Sequence, residues 1–267
     1  MRYLLIFLLL TFSDLLSGQC VTQINSFKPG EKITYQAYYN WGFVWVHAGD
    51  VEFTVSQRLY RGEQVYQFDA TGNSLKSYDW IYKVRDHFQS FVNMETFSPM
   101  FAERNTLEGG YKAYENYMFS DSERKIYSVV ANSEKPFKRD TLNALPCIFD
   151  VLTVIYYARM LDFERYKPNE KVPFKVIVDN GVYPSYLRYL GKETIKTRDG
   201  KRYRCIKFTA LLVEGTIFKG GEDINIWVTD DTNRIPVLVE AKILIGSVKA
   251  YLNTMEGLRN EIKAQVN

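Results

Sequence analysis

Two carboxylates facing each other across a cleft are enough for glycoside hydrolysis, one acting as acid and the other as base or nucleophile. The chain offers Asp79, Asp86, Asp150, Glu222 with Asp223, and Asp230 with Asp231. Asp86 and Asp230 are the two to which acid or base roles could be given. Each carboxylate also has a plainer local role, because Asp closes turns and starts helices, so no catalytic residue is assigned.

Ring-bearing side chains form a second group. Tyr39, Trp41, Phe43, Trp45 and His47 are spaced by two, so an extended chain would put all five on one face. Exposed, such a row stacks on sugars or lines a lipid groove; buried, it is the aromatic wall of a core. Tyr78, Trp80 and Tyr82 alternate in the same way and lead into Arg85, Asp86 and His87, rings beside charges of the kind found at the mouth of a cavity. Arg159 stands on an apolar stripe, where a guanidinium needs an acidic partner or a ligand. Trp41, Trp45, Trp80, Tyr82, Arg85 and Arg159 are therefore the candidate ligand contacts.

Other chemistries lack raw material. The chain has only two histidines, His47 and His87, far apart and outside any metal-ligand spacing, so no metal is expected. Ile245-Gly246-Ser247-Val248 lacks the second glycine of a nucleophile elbow. Gly109-Gly110 and Gly220-Gly221 fit turns, not phosphate cradles, and no cofactor is expected. Lys and Arg exceed Asp and Glu by only 34 to 31, spread along the chain, which argues against a nucleic-acid partner.

The N-terminus reads as an export signal over residues 1–18: Arg2 supplies the positive start, Leu4 to Leu10 the apolar run, and Ser17-Gly18 the small residues before cleavage. The run is too short to span a bilayer, so no transmembrane helix is expected in the mature chain. A periplasmic or secreted protein follows. The alternative is an outer-membrane lipoprotein acylated at Cys20, disfavoured by the bulk of Gln19 before it. In an oxidising compartment, three cysteines leave one unpaired. Cys20 with Cys147 is the bridge to test, each lying beside the end of an element, whereas Cys205 falls inside a strand as a small buried group.

These residues would be positioned by a mainly β body, residues 19–267, rich in Tyr and Phe. An N-terminal β half spans 31–134. Strands are predicted at 33–40, 51–56, 64–71, 77–86, 88–93, 111–119 and 124–130, with 135–143 as a polar connection. One helix is predicted over 146–162, with Pro146 in its first turn and Ile148, Leu152, Ile155 and Arg159 along one stripe. A C-terminal β half spans 171–252, in strands 171–179, 183–197, 201–214, 222–229 and 236–252, turning at Asp179-Asn180-Gly181, Arg198-Asp199-Gly200 and Asp230 to Asn233. The tail after Met255 is polar, helical or frayed.

Tyr38-Tyr39-Asn40-Trp41 followed by His47-Ala48-Gly49, the Arg85-Asp86 strand, Cys147 to Leu152, and Trp227 to Asp231 continuing to Arg234-Ile235-Pro236-Val237 resemble exported bacterial proteins grouped as the domain of unknown function numbered 3108. That resemblance implies a Gram-negative envelope setting and long, strongly curved antiparallel strands, with no catalytic residue to carry over. More distantly the chain is similar to the periplasmic half-barrels that carry lipoproteins and hold acyl chains between a curved sheet and covering helices. The expected fold is a long curved antiparallel sheet, half-barrel or barrel-like, in two β halves with one central helix packed on it. The expected function is a non-enzymatic binding or carrier module for an apolar or glycan ligand enclosed between sheet and helix. The alternatives are an envelope glycan hydrolase and a structural or assembly factor, so a lipid, a glycan or an envelope protein is the partner to look for.

Overall fold

The computed structural model describes residues 24–41, 43–213, 220–243 and 246–266, the side chain of Trp41 excepted. In chain order the strands are β1 Lys32–Trp41, β2 Val44–Tyr60, β3 Glu63–Ser74, β4 Val84–Asn93, β5 Pro99–Glu108, β6 Tyr111–Ser120, β7 Lys125–Asn132, β8 Lys138–Asn143 and β9 Ile148–Asp150. Helix α1 Val151–Met160 follows, then β10 Lys171–Val178, β11 Gly181–Lys196, β12 Arg202–Leu212, β13 Gly221–Thr229, β14 Pro236–Lys242, β15 Ser247–Glu256 and β16 Gln265–Val266. All sixteen strands join one sheet. Its order runs from β8 back to β1, crosses to β15, and continues down to β9. The pairing of β1 with β15 thus joins an outgoing meander to a returning one, and among the described residues only β9 with β10 is parallel.

Turn chemistry sets much of the register. Arg61 and Gly62 both take positive φ between the paired Tyr60 and Glu63, as do Asp179 and Asn180 between Val178 and Gly181. This is the two-residue hairpin whose twist matches its strands.

The helix is shorter than the 146–162 predicted. Cys147 has φ 58°, and Ile148–Asp150 pairs in parallel with Lys175–Ile177. The helix begins only where the Asp150 carboxylate accepts the Leu152 and Thr153 amides, at 3.0 and 3.1 Å, an N-cap worth about 1 kcal/mol. Ser90 Oγ and Thr153 Oγ1 donate to the same buried carboxylate, so Asp150 also ties the helix start to β4. Pro146 lies outside the helix because Ile148 and Phe149 are taken by the sheet core.

Beneath the helix the space is filled. Tyr156 stacks on Phe68 with centroids 3.7 Å apart, Phe27 meets Tyr66, Phe68 and Tyr156 edge-on, and Phe149 stacks on Tyr157. Leu152, Phe97, Phe174 and Phe208 complete this core. Each such side chain contributes roughly 2 kcal/mol on burial. An apolar ligand chamber between sheet and helix is not what these residues form.

Four further expectations are corrected. Residues 77–82 are not strand: a short 3₁₀ turn, Lys76–Tyr78, leads into a loop that returns at β4. Asp79 closes that loop by accepting from Ser74 Oγ and from both Arg85 guanidinium nitrogens. The apolar run 236–252 is two strands, β14 and β15, folded back through Gly246, while 138–143, read as connection, is edge strand β8. The tail is neither helical nor frayed. It lies along β12, with Arg204 N–H donating to Ala264 C=O and Ala264 fully buried. Among the described residues no helix is long and apolar enough to cross a membrane.

Candidate functional site

Directly paired residues of adjacent strands share a face, so the register reads out the concave surface row by row. Nearest the helix, Phe68, Ser90, Ala102, Tyr117, Ser128 and Asp140 form one row. Phe68 under Tyr156 fixes this as the helix side. The next row is Ala70, Phe88, Arg104, Glu115, Val130 and Lys138, then Gly72, Asp86, Thr106, Ala113 and Asn132, then Val84, Glu108 and Tyr111. Away from the helix the concave face therefore turns from aromatic to charged.

The β10–β11 hairpin reaches across onto this face. Asp179 N–H donates to Glu115 Oε2 at 3.1 Å, Asn180 N–H to Tyr117 Oη at 3.1 Å, and the Asn180 side chain joins Ser128 and Asp140. Ile177 and Ile148 pack with Ala102, Tyr117, Phe119 and Ile126 just inside. The two limbs of the sheet thus close on each other through side chains, giving a barrel-like body.

The closure is incomplete. A cleft of about 770 Å³ remains between β6–β8 and the hairpin, floored by Tyr111, Ala113 and Glu115 and flanked by Phe137, Asp179 and Tyr183. Rings and polar groups both line it, with Asn132, Lys135 and Lys138 also on its walls.

Its electrostatics follow from burial. Arg104 donates to Glu115 Oε1 at 2.9 Å and lies 3.6 Å from Asp179. Tyr117 Oη–H donates to Glu115 Oε2 at 2.6 Å. Burial still holds the Glu115 carboxyl above its ordinary range, and burial beside Glu115 raises the Tyr117 phenol. Burial, with the charge of Glu108 next along the face, pushes Asp86 up to about 7. Two buried polar atoms here have no hydrogen-bond partner, Thr106 Oγ1 and Arg104 Nε. Among the described residues no group of three or more His, Cys, Asp or Glu side chains could hold a metal.

The sequence-predicted contacts whose side chains are described lie elsewhere; the Trp41 side chain falls outside the described residues. Phe43 is in the β1–β2 turn, so the row of five rings splits between Tyr39 and Trp41 on β1 and Trp45 and His47 on β2. A bulge after Ala37 then pairs Tyr38 with His47 and Asn40 with Trp45, which turns Trp45 to the convex face under Lys249, 4.8 Å from the ring centroid. Trp80 is 82% exposed on its loop. Tyr82, half-exposed, leans over Gly109 at the edge of the concave face, and Arg85 is the clasp on Asp79. Arg159 has found its acid within the fold: it grips buried Glu31 through both terminal nitrogens, at 2.6 and 2.9 Å, and donates to Asn233 C=O and Ser26 C=O. Asp230 is held near Lys192 and Arg234. Cys205 is free and buried; Cys147 is among the described residues, while Cys20, the partner expected for it, and the export signal lie in residues 1–23, outside them.

Sequence reasoning missed Tyr111, Glu115, Phe137 and Asp179. The available signals were the alternation of 111–119 and the Asp179-Asn180-Gly181 turn, neither of which says that the two meet.

The family model described as "Protein of unknown function (DUF3108)" matches residues 34–253. No curated protein matches the chain. A solved structure with a similar fold is the beta-barrel-like protein of domain of unknown function DUF1849 from Brucella abortus, with TM-score 0.54, 8% identity, and cover of 85% of this chain and 96% of that one. At that identity the likeness concerns fold alone.

Proposed function

The chain belongs to the DUF3108 family of proteins of unknown function, and from that premise we propose that it is an exported, non-enzymatic binding module of the cell envelope whose ligand is a glycan. Export rests on Arg2 and the Leu4–Leu10 run. The observation that carries the ligand reading is the lining of the cleft, where Tyr111, Phe137 and Tyr183 border the same space as Glu115, Asn132, Asp179 and Asn180. Sugar rings present apolar C–H faces and a belt of hydroxyls, which matches flat rings beside acceptors and amides. An acyl chain matches poorly, because the surface beneath the helix is filled with side chains. An assembly role through an open sheet edge is opposed by β8, whose Lys138, Arg139 and Asp140 are a charged guard against strand addition.

The test is calorimetric titration of the full chain with neutral, acidic and amino-sugar oligosaccharides. We expect one class to bind, and Tyr111→Ala or Phe137→Ala to weaken it by about tenfold, a loss of about 1.4 kcal/mol. Absence of binding across the panel, or lipid co-purifying in its place on mass spectrometry, refutes the glycan reading. A hydrolase is the second reading, favoured by Asp86 titrating near neutrality beside Glu108. Shortened oligosaccharides after incubation, lost in Asp86→Asn, would establish it.

A further inference from the structure

We propose that the rim of the sheet at the cleft end is a docking surface for an anionic lipid bilayer. The register puts the β1–β2, β3–β4, β5–β6 and β7–β8 connections at one end of the sheet and the β2–β3, β4–β5 and β6–β7 connections at the other. The two ends differ in chemistry. At the cleft end Phe43 is fully exposed, Trp80 is 82% and Phe137 60% exposed, with Val44, Ile81 and Tyr82 beside them. At the far end the tips are Arg61-Gly62, Glu95-Thr96 and Asp121 to Arg124, with the aliphatic Leu59 and Leu145 exposed beside them and no exposed Trp or Phe among the described residues there. A tight turn asks only for residues that accept its backbone angles, so turn chemistry does not account for large apolar side chains on three tips of the same end. Each leaves apolar surface in water that burial would stabilise.

Cations surround these rings. Lys76 and Lys83 flank the Trp80 tip, Lys135, Lys138 and Arg139 flank Phe137, and Lys112 and Lys242 lie on the same rim, all exposed. Of the acids nearby, Asp79 is held by Arg85, Asp140 is paired with Lys138, Asp223 lies 3.9 Å from Lys242, and Glu134 is exposed. Aromatic rings at the headgroup level, ringed by lysines that an anionic surface attracts, are the chemistry of peripheral membrane contact. The spacing separates this occupant from a small ligand: six strand intervals lie between the Phe43 and Phe137 hairpins, about 29 Å along the sheet at about 4.8 Å each. Only a broad surface meets both. The glycan cleft opens on the same rim, yet the docking stands without it.

The test is hydrogen exchange of the full chain on phosphatidylcholine vesicles with and without phosphatidylglycerol, read segment by segment so that the apolar N-terminus is scored separately. Slowed exchange at 76–83 and 133–139 is expected only with phosphatidylglycerol, with 61–62 and 121–124 unchanged. Trp80→Ser with Phe137→Ser is expected to remove the slowing and to weaken rim binding about tenfold or more, while Leu59→Ser at the far end has no effect. Both tips are exposed, so an unchanged urea midpoint confirms the fold. Slowing confined to the N-terminal segment, equal slowing on neutral vesicles, or a dimer in light scattering that the double variant dissolves while vesicle binding persists each overturns the proposal.

Discussion

Replacing Asp86 with Asn stabilises the fold at pH 8 and leaves it unchanged at pH 4. Asp86 sits between Gly72 and Thr106 in its row and accepts the Leu107 amide at a long 3.3 Å. Burial and the neighbouring Glu108 raise its carboxyl to about 7, against about 3.9 in an unfolded chain. About three pKa units at about 1.36 kcal/mol each give a ceiling of about 4 kcal/mol. The side chain is only half-buried, so solvent screening reduces this to about 1–2 kcal/mol. The sign follows from which state holds the proton. Below about pH 4 both states are protonated and Asp86 is neutral in each; as pH rises towards 7 the unfolded chain gives up its proton and the folded one resists, so stability falls and levels off above 7. Asn keeps an acceptor for Leu107 and never ionises. Urea unfolding of parent and variant at pH 4, 6 and 8 should show a gain that grows with pH. No gain at pH 8, or an equal gain at pH 4, would refute the claim that Asp86 is an ill-solvated carboxylate.

Arg159→Met leaves Glu31 buried and uncompensated and should cost about 3–5 kcal/mol in chemical denaturation, whereas adding Glu31→Gln should recover part of that loss; a single-variant cost under about 1 kcal/mol would remove the pair as a rivet between helix and N-terminal segment. Gly257→Ala should cost more than about 1 kcal/mol, because φ is 65° and a Cβ would stand 1.9 Å from the Gly30 carbonyl oxygen. Its signature is faster amide exchange at Arg204 and Ala264, and unchanged exchange there would show that the tail docks without this approach. A bridge between Cys20 and Cys147 predicts one alkylatable thiol, Cys205, in the unfolded and unreduced protein; mass spectrometry finding three would dismiss it.

Alternation made the strands readable. Tyr66, Phe68 and Ala70 face the opposite way from Gln67 and Asp69 on β3, and polar turns at Arg61-Gly62 and Asp179-Asn180 delimit their hairpins, so the β architecture and its helix follow from period and turn chemistry. Where the pattern was continuous, as from Val237 to Leu252, the hairpin at Gly246 was hidden. Where a tertiary partner outbid local preference, as at Ile148–Asp150, the helix start moved.

Sequence periodicity therefore determined the β-rich class, its two β halves and the presence of a helix, because these depend on which side chains repeat at two or at 3.6 residues; the curvature was implied by the family resemblance. Only the tertiary structure decided where the site is. Period says which residues share a face of one strand; it does not say that Asp179, on a hairpin from the returning limb, will meet Glu115, 64 positions earlier. It is also silent on which charged side chains spend themselves on the fold. Arg159 and Arg85 read as ligand contacts until Glu31 and Asp79 occupied their donors, because a guanidinium satisfies itself with whichever carboxylate the folded chain brings within 3 Å.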